Sequence, residues 1–185
     1  GPSGSGKTTL LGLLAGLDRP THGTVTIDGQ ELTRLDEDQL ARFRAERVGF
    51  VFQSFHLLPT LTARENVEVP LLCRKGLAAA ERKRAVALAL ARVGLADKAG
   101  RRPAELSGGE QQRVAVARAV AGNPEIVLAD EPTANLDHET GGAVVALLLA
   151  LNRERGTTFL YATHDPELVG LAGRVVTLRD GRITG

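Results

Sequence analysis

A chain of 185 residues is one ordinary domain, or one core with a small inserted subdomain, and 43% hydrophobic with 24% charged residues excludes disorder and low complexity. A formal net charge of +1, with basic residues spread through stretches that also carry Glu and Asp, gives no sign of a nucleic-acid-binding surface. The lone Cys73 excludes an internal disulfide and fits a reducing compartment, and the longest apolar runs, such as Ala143 to Leu151, fall far short of the roughly 20 residues of a membrane span.

Gly1 to Thr8 reads as a loop that opens a short apolar helix, Thr9 to Leu17, ending before the turn at Pro20. Gly23 to Gly29 alternates with period two and closes on Asp28-Gly29, a hairpin-type strand. Asp36 to Arg47 is an amphipathic helix and Val48 to Phe52 a buried strand. From Ser54 to Gly122 only helices are expected. Thr62 and Glu65 form a capping box, Ala78 to Val93 is helical with Gly94 as its stop, and Ser107 to Ala121 is helical with Gly122 as its stop. Alternation then returns. A strand at Ile126 to Ala129 is followed by a helix through Glu139 to Arg155, a strand at Thr157 to Ala162, a short helix after Asp165, and a strand at Arg174 to Leu178. Strand, helix, strand at this spacing predicts an α/β fold, a parallel sheet with crossover helices.

The chemistry starts at Gly1. "GPSGSGKT" meets the whole G-x-x-x-x-G-K-[ST] pattern, in which glycines let backbone amides face phosphates, Lys7 reaches the outer two and Thr8 holds Mg²⁺. "IVLADE", Ile126 to Glu131, is an apolar strand ending in two acids, placing Asp130 towards the metal and Glu131 where it can polarise an attacking water. Gln53 closes the strand "VGFVF", where an amide can touch both metal water and substrate. His164 follows another strand end, where ligands collect in open α/β folds, whereas His22, His56 and His138 have no such context. A second phosphate cradle is also present. In "LSGGEQQR", Ser107 and Glu110 have capping-box spacing and the paired glycines leave the helix end open to an anion.

"GPSGSGKTT", Gln53, "LSGGEQQR", "VLADEPT", "ANLD" and His164 occur in order along essentially the whole chain, which resembles an ATP-binding-cassette (ABC) transporter nucleotide-binding domain. "HLLPTLTARENVEVPLL", "ADEPTANLD" and "LNRERGTTFLYATHD" look like the ATPase subunits of lipoprotein-releasing and macrolide-exporter systems, with the cell-division ATPase a close relative. The resemblance implies a three-layer P-loop NTPase core with a mainly parallel sheet and an inserted α-helical subdomain. Residues 1–53 form the first part of the core, 54–122 the helical subdomain with the signature motif, and 123–185 the second part of the core.

It also implies roles. ATP is bound by Gly1, Ser3, Gly4, Ser5, Gly6, Lys7, Thr8, Thr9 and Gln53 of one chain and by Ser107, Gly108, Gly109 and Glu110 of another. Lys7, Gln53, Glu131 and His164 carry hydrolysis, and Mg²⁺ is held by Thr8, Gln53 and Asp130. "ANLD", Ala134 to Asp137, crosses the interface of a head-to-tail homodimer. Ala134, where relatives often carry Gly or Ser, is a harmless departure. Transmembrane permease subunits dock near Phe55 to Pro70, a stretch whose other reading is ordinary core packing, and the cassette sits on the cytoplasmic face of the membrane. The chain has no Met and begins on the first glycine of a motif that normally follows a strand, so an upstream strand and an adenine-stacking aromatic are expected before Gly1. The alternative is a non-transport ABC ATPase, either of the cell-division type or a soluble tandem-cassette translation factor; a DNA-repair type would need a long heptad insertion, and only about 50 residues separate Gln53 from Leu106.

Overall fold

The computed structural model describes residues 1–2 and 4–184. In chain order the elements are α1 (Lys7–Leu14), β1 (Thr26–Ile27), β2 (Gln30–Glu31), α2 (Glu37–Arg47), β3 (Val48–Val51), α3 (Ala63–Leu72), α4 (Ala79–Arg92) and α5 (Gly108–Val120). They continue with β4 (Ile126–Asp130), α6 (His138–Arg155), β5 (Thr158–Ala162), α7 (Pro166–Leu171), β6 (Leu178–Arg179) and β7 (Arg182–Ile183).

Local chemistry sets the starts of five helices. Asp36 with Gln39, Thr62 with Glu65 and Ser107 with Glu110 each close a full capping box, at the starts of α2, α3 and α5. The Asp137 carboxylate caps α6 by accepting from the Thr140 amide at 3.0 Å. Helix α1 begins two residues before the predicted Thr9, because Gly6 at φ 96° takes the left-handed turn that delivers Lys7 into the first helical position.

Strands β3, β4 and β5 form a parallel sheet in that order, with Val48 opposite Ile126 and Ile126 opposite Thr158. Side chains alternate across it. Leu128, Ala162, Phe50 and Leu160 pack with Leu11 and Ala15 of α1 on one face, while Val51, Val127, Ala129 and Phe159 join the core of α3 to α6 on the other. Helix, sheet and helices therefore make the three layers that the resemblance implies, around the parallel sheet that the alternation of elements predicts. Val127 and Leu128 are fully buried, each stabilising the centre of the sheet by about 1.5–3 kcal/mol. Gly49 is required for this packing: a Cβ there would lie 2.4 Å from the Ala119 carbonyl oxygen, so any side chain would push α5 off β3.

Two predicted strands are corrected. Gly23 to Gly29 contributes only Thr26 and Ile27 to a minimal hairpin turned by Asp28 and Gly29, both at positive φ. Arg174 to Thr177 is not a strand. Leu178–Arg179 instead pairs antiparallel with Arg182–Ile183, because the tight Asp180-Gly181 turn, both residues at positive φ, brings those two backbones into bonding register. Val175 and Val176 remain about half exposed, beside an apolar groove of about 540 Å³ along β5. The hairpin nonetheless braces the glycine-rich loop, since the Gly181 amide donates to the Ser5 carbonyl at 3.0 Å.

Candidate functional site

The carboxyl ends of the three parallel strands and the loop before α1 converge on one cavity of about 330 Å³. Gly4, Gly6, Lys7, Thr8 and Thr9 line it from the loop and α1, Gln53 from beyond β3, Asp130 and Glu131 from the end of β4, and His164 from beyond β5. Residues spread over 160 positions meet because a parallel sheet sends all its strand ends the same way. The first amides of α1 have no intrahelical acceptor, so the helix opens onto this cavity as an anion site.

Thr8 Oγ1 donates to Asp130 Oδ2 at 2.7 Å. Lys7 Nζ donates to the Gly1 and Pro2 carbonyls at 2.8 and 3.1 Å and lies 3.6 Å from Glu131 Oε1, with the two side chains 12% and 14% exposed. Glu131 has left-handed backbone, φ 43°, which is strained for a non-glycine, and its amide donates to the Ala162 carbonyl at 2.8 Å. His164 Nδ1 lies 2.8 Å from Glu131 Oε1, and Thr163 Oγ1 donates to Oε2 at 3.1 Å. Burial works against the charged form of Glu131, but the hydrogen bonds from His164 and Thr163 outweigh it and hold the carboxyl below its ordinary range. Glu131 is therefore ionised at neutral pH and an acceptor in its contacts with Thr163 and His164.

These donors fit a hard divalent cation. A carboxylate and a hydroxyl in contact, with an amide on the same cavity, offer oxygen ligands of the kind Mg²⁺ takes alongside phosphate oxygens. Among the described residues there is no group of three or more His, Cys, Asp or Glu that could hold a metal ion.

Not every predicted residue reaches the cavity. Ser3 lies outside the described residues. Gly1 and Ser5 do not line it: a Cβ on Gly1 would meet the Leu178 carbonyl oxygen at 2.0 Å, and Ser5 is 2% exposed with its Oγ unpartnered. Ser107, Gly108, Gly109 and Glu110 do not line it either. Ser107 and Gly108 are exposed at the start of α5, whereas Gly109 is buried because a Cβ there would meet Thr140 Cγ2 at 2.2 Å. The Glu110 carboxylate is committed to Lys98 and to the Ser107 amide, which lower its pKa.

Sequence reasoning missed the residues that hold this site. Thr163 steadies Glu131, Asn135 Nδ2 donates to the Gln53 carbonyl at 2.9 Å, Thr133 Oγ1 donates to Asp165 at 3.1 Å, and the fully buried Gln112 donates to the Pro132 carbonyl at 2.5 Å. Nothing in their spacing signals these contacts, since each partner comes from another segment of the chain.

Residues 1–134 match the family model described as ABC transporter. The chain is 52% identical over 183 residues to the lipoprotein-releasing system ATP-binding protein LolD of Anaeromyxobacter dehalogenans, covering 99% of this chain and 77% of that protein. It is 49% identical over 185 residues to the macrolide export ATP-binding/permease protein MacB of Burkholderia pseudomallei, covering all of this chain and 28% of that protein. Among solved structures, the dimeric post-hydrolysis state of the ATP-binding cassette MJ0796 bound to ADP and Pi superposes with a TM-score of 0.89 at 45% identity, covering 98% of this chain and 80% of that one. Agreement in sequence and in backbone along nearly the whole length leaves one assignment: the chain belongs to the ABC transporter family, as an ATP-binding and ATP-hydrolysing cassette.

Proposed function

We propose that this cassette powers a lipoprotein-release or macrolide-export type transporter by ATP-driven closure of a homodimer against transmembrane permease subunits. The similarity to LolD and MacB supports the subclass. The observation that carries the dimer is geometric. One chain holds two anion-receiving helix ends, the loop before α1 and the exposed Ser107 end of α5, and only the first lies on the cavity with Asp130, Glu131 and His164. The second end completes the cavity of the other copy, with "ANLD", Ala134 to Asp137, between the two sites. The MJ0796 neighbour is itself a dimer bound to ADP and Pi.

In this reading Gly4, Gly6, Thr9 and their neighbours wrap the phosphates with backbone amides, and Lys7 reaches the β- and γ-phosphates. Thr8, Asp130 and Gln53 hold Mg²⁺, which when bound neutralises charge on the phosphates. Glu131 orients and accepts a proton from the attacking water, while His164 holds the γ-phosphate. A singly protonated imidazole cannot donate from both nitrogens, so a bond from Nε2 to phosphate competes with the Nδ1 contact to Glu131 unless the ring is doubly protonated. Residues 1–53 and 123–185 form the catalytic core and 54–122 the helical subdomain. Among the described residues no helix is long and apolar enough to cross a membrane, in keeping with a peripheral subunit held at the cytoplasmic face by its permease.

The loop assignment is checked by Lys7→Ala in the full-length protein. Losing a charge-assisted bond to phosphate should weaken ATP binding by at least about tenfold in a direct titration. Unchanged affinity counts against Lys7.

The permease assignment rests on Leu57 and Leu58. Leu57 packs against the core, but Leu58 is 48% exposed, its backbone held from both sides by the buried Asn66 side chain at 2.7 and 3.1 Å. A surface leucine so rigidly presented suits a partner better than the interior. Leu58→Asp should abolish transport or assembly with the permease while basal ATP hydrolysis and melting temperature stay close to wild type. Loss of the soluble fold would restore the core-packing reading.

A further inference from the structure

Gln53 is followed by an unusual stretch of backbone. Phe55 and His56 are consecutive non-glycine residues in the left-handed region, with φ of 60° and 47°. Asp28 and Asp180 share that region but sit in tight turns beside a glycine, where Asp is tolerated. A bulky pair persists there only when its surroundings over-determine it.

The surroundings are supplied by α5. Arg118 Nη2 donates to the Phe55 carbonyl at 2.7 Å and Nη1 to the His56 carbonyl at 2.5 Å, one planar fork gripping two successive peptide groups. Among the described residues Arg118 takes part in no ion pair. Burial pushes its guanidinium below its ordinary value, and its hydrogen bonds go to these two carbonyls. The His56 ring lies 4.6 Å from Phe52, which stacks on Phe50 of β3 at 4.3 Å. From the other side Asn135 holds the Gln53 carbonyl. Gln53 thus stands between two tethers, one on the segment after Glu131 and one on the helix that starts at Ser107.

We propose that Arg118 is a positioning residue for Gln53, setting its place in the ATP cavity through the kinked Phe55-His56 peptides. The inference rests on the role given to Gln53 at the metal and water. It makes α5 a rigid link about 16 Å long between the Ser107 end and the Gln53 loop, at 1.5 Å per residue. A shift of the signature end would then reach the partner's phosphate site and this chain's own Gln53 together.

The test uses the full-length protein with Mg·ATP. Arg118→Lys keeps the charge but loses the fork, Gln53→Ala removes the positioned group, and Arg74→Gln removes a comparable contact from the turn after α3 to the Gly122 carbonyl as a structural control. Arg118→Lys should lower kcat on the order of 10- to 100-fold, the cost of misplacing a reacting group, and raise the Mg²⁺ concentration needed for half activation. Direct ATP binding should change little. The double variant with Gln53→Ala should be no slower than Gln53→Ala alone, the non-additivity of two residues acting as one. Arg74→Gln should keep kcat. If Arg118→Lys is too unstable to assay at 25 °C, Arg118→Gln compared with Arg74→Gln at equal distance below each melting temperature gives the same readings. Losses that multiply in the double variant, or a lowered melting temperature with normal kcat and Mg²⁺ response, overturn the proposal. A Gln53→Ala single variant with wild-type kcat and Mg²⁺ response overturns the reading of Gln53 itself, and is seen before any Arg118 variant is made.

Discussion

Glu131→Gln is expected to lower kcat for ATP hydrolysis by roughly 10²- to 10⁴-fold, the range for removing a positioned general base, while ATP affinity stays nearly unchanged. The substitution is isosteric, so the left-handed turn at φ 43° and the amide bond to Ala162 survive it. The surroundings adjust at one oxygen only. The new carbonyl still accepts from Thr163, and the new NH₂ can donate to His164 once the ring moves its proton from Nδ1 to Nε2. What is lost is the ability to take a proton from water and the negative charge 3.6 Å from Lys7. Phosphate binding depends on neither. Single-turnover kinetics together with nucleotide titration separate the two effects, and hydrolysis at near-normal rate would remove Glu131 from the role of base.

The second large effect concerns two copies of the chain. If the Ser107 end of α5 completes the cavity of a neighbour, activity per subunit should rise with protein concentration until dimers saturate. Lys7→Ala damages the loop and spares the signature end, and Ser107→Arg does the reverse. Ser107 and Gly108 are exposed, so a bulky cation there blocks the approach of the other copy without entering the core. The lost cap costs about 1 kcal/mol, which α5 withstands because Val114, Ala115, Val116 and Ala117 are all fully buried. Each variant alone should be nearly inactive. Their mixture should recover part of the wild-type rate, because the heterodimer gathers both lesions in one cavity and leaves the other intact. Strict cooperativity between cavities would suppress that recovery, so the concentration series decides. A monomeric chain with full, concentration-independent turnover would reduce "LSGGEQQR" to a well-capped helix.

Much of this molecule is set by local rules and was therefore legible in the sequence. Asp36, Thr62 and Ser107 start their helices because a side-chain oxygen three residues before a free amide forms a cap in any context. The runs Val48–Val51, Ile126–Asp130 and Thr158–Ala162 become parallel strands because they are apolar on both faces and separated by helices. The loop through Thr8, the acids ending β4, and the families of motifs they resemble are likewise contiguous in the chain, which is why the α/β class and the ABC family follow from sequence. What the tertiary structure decided is every relation that spans the chain. Arg174–Thr177 is mostly β-branched like a strand but does not enter a ladder, although its Thr177 carbonyl accepts from the Thr184 amide, whereas Gly109 resembles an open anion site but must be glycine because Thr140 packs against it. Thr163 on Glu131, Asn135 on Gln53 and Arg118 on the Phe55-His56 kink are contacts over 32, 82 and more than 60 residues of separation. No periodicity encodes such a pair: the hydroxyl, amide or guanidinium looks the same in the sequence whether it meets solvent or the one carbonyl that the fold brings to it.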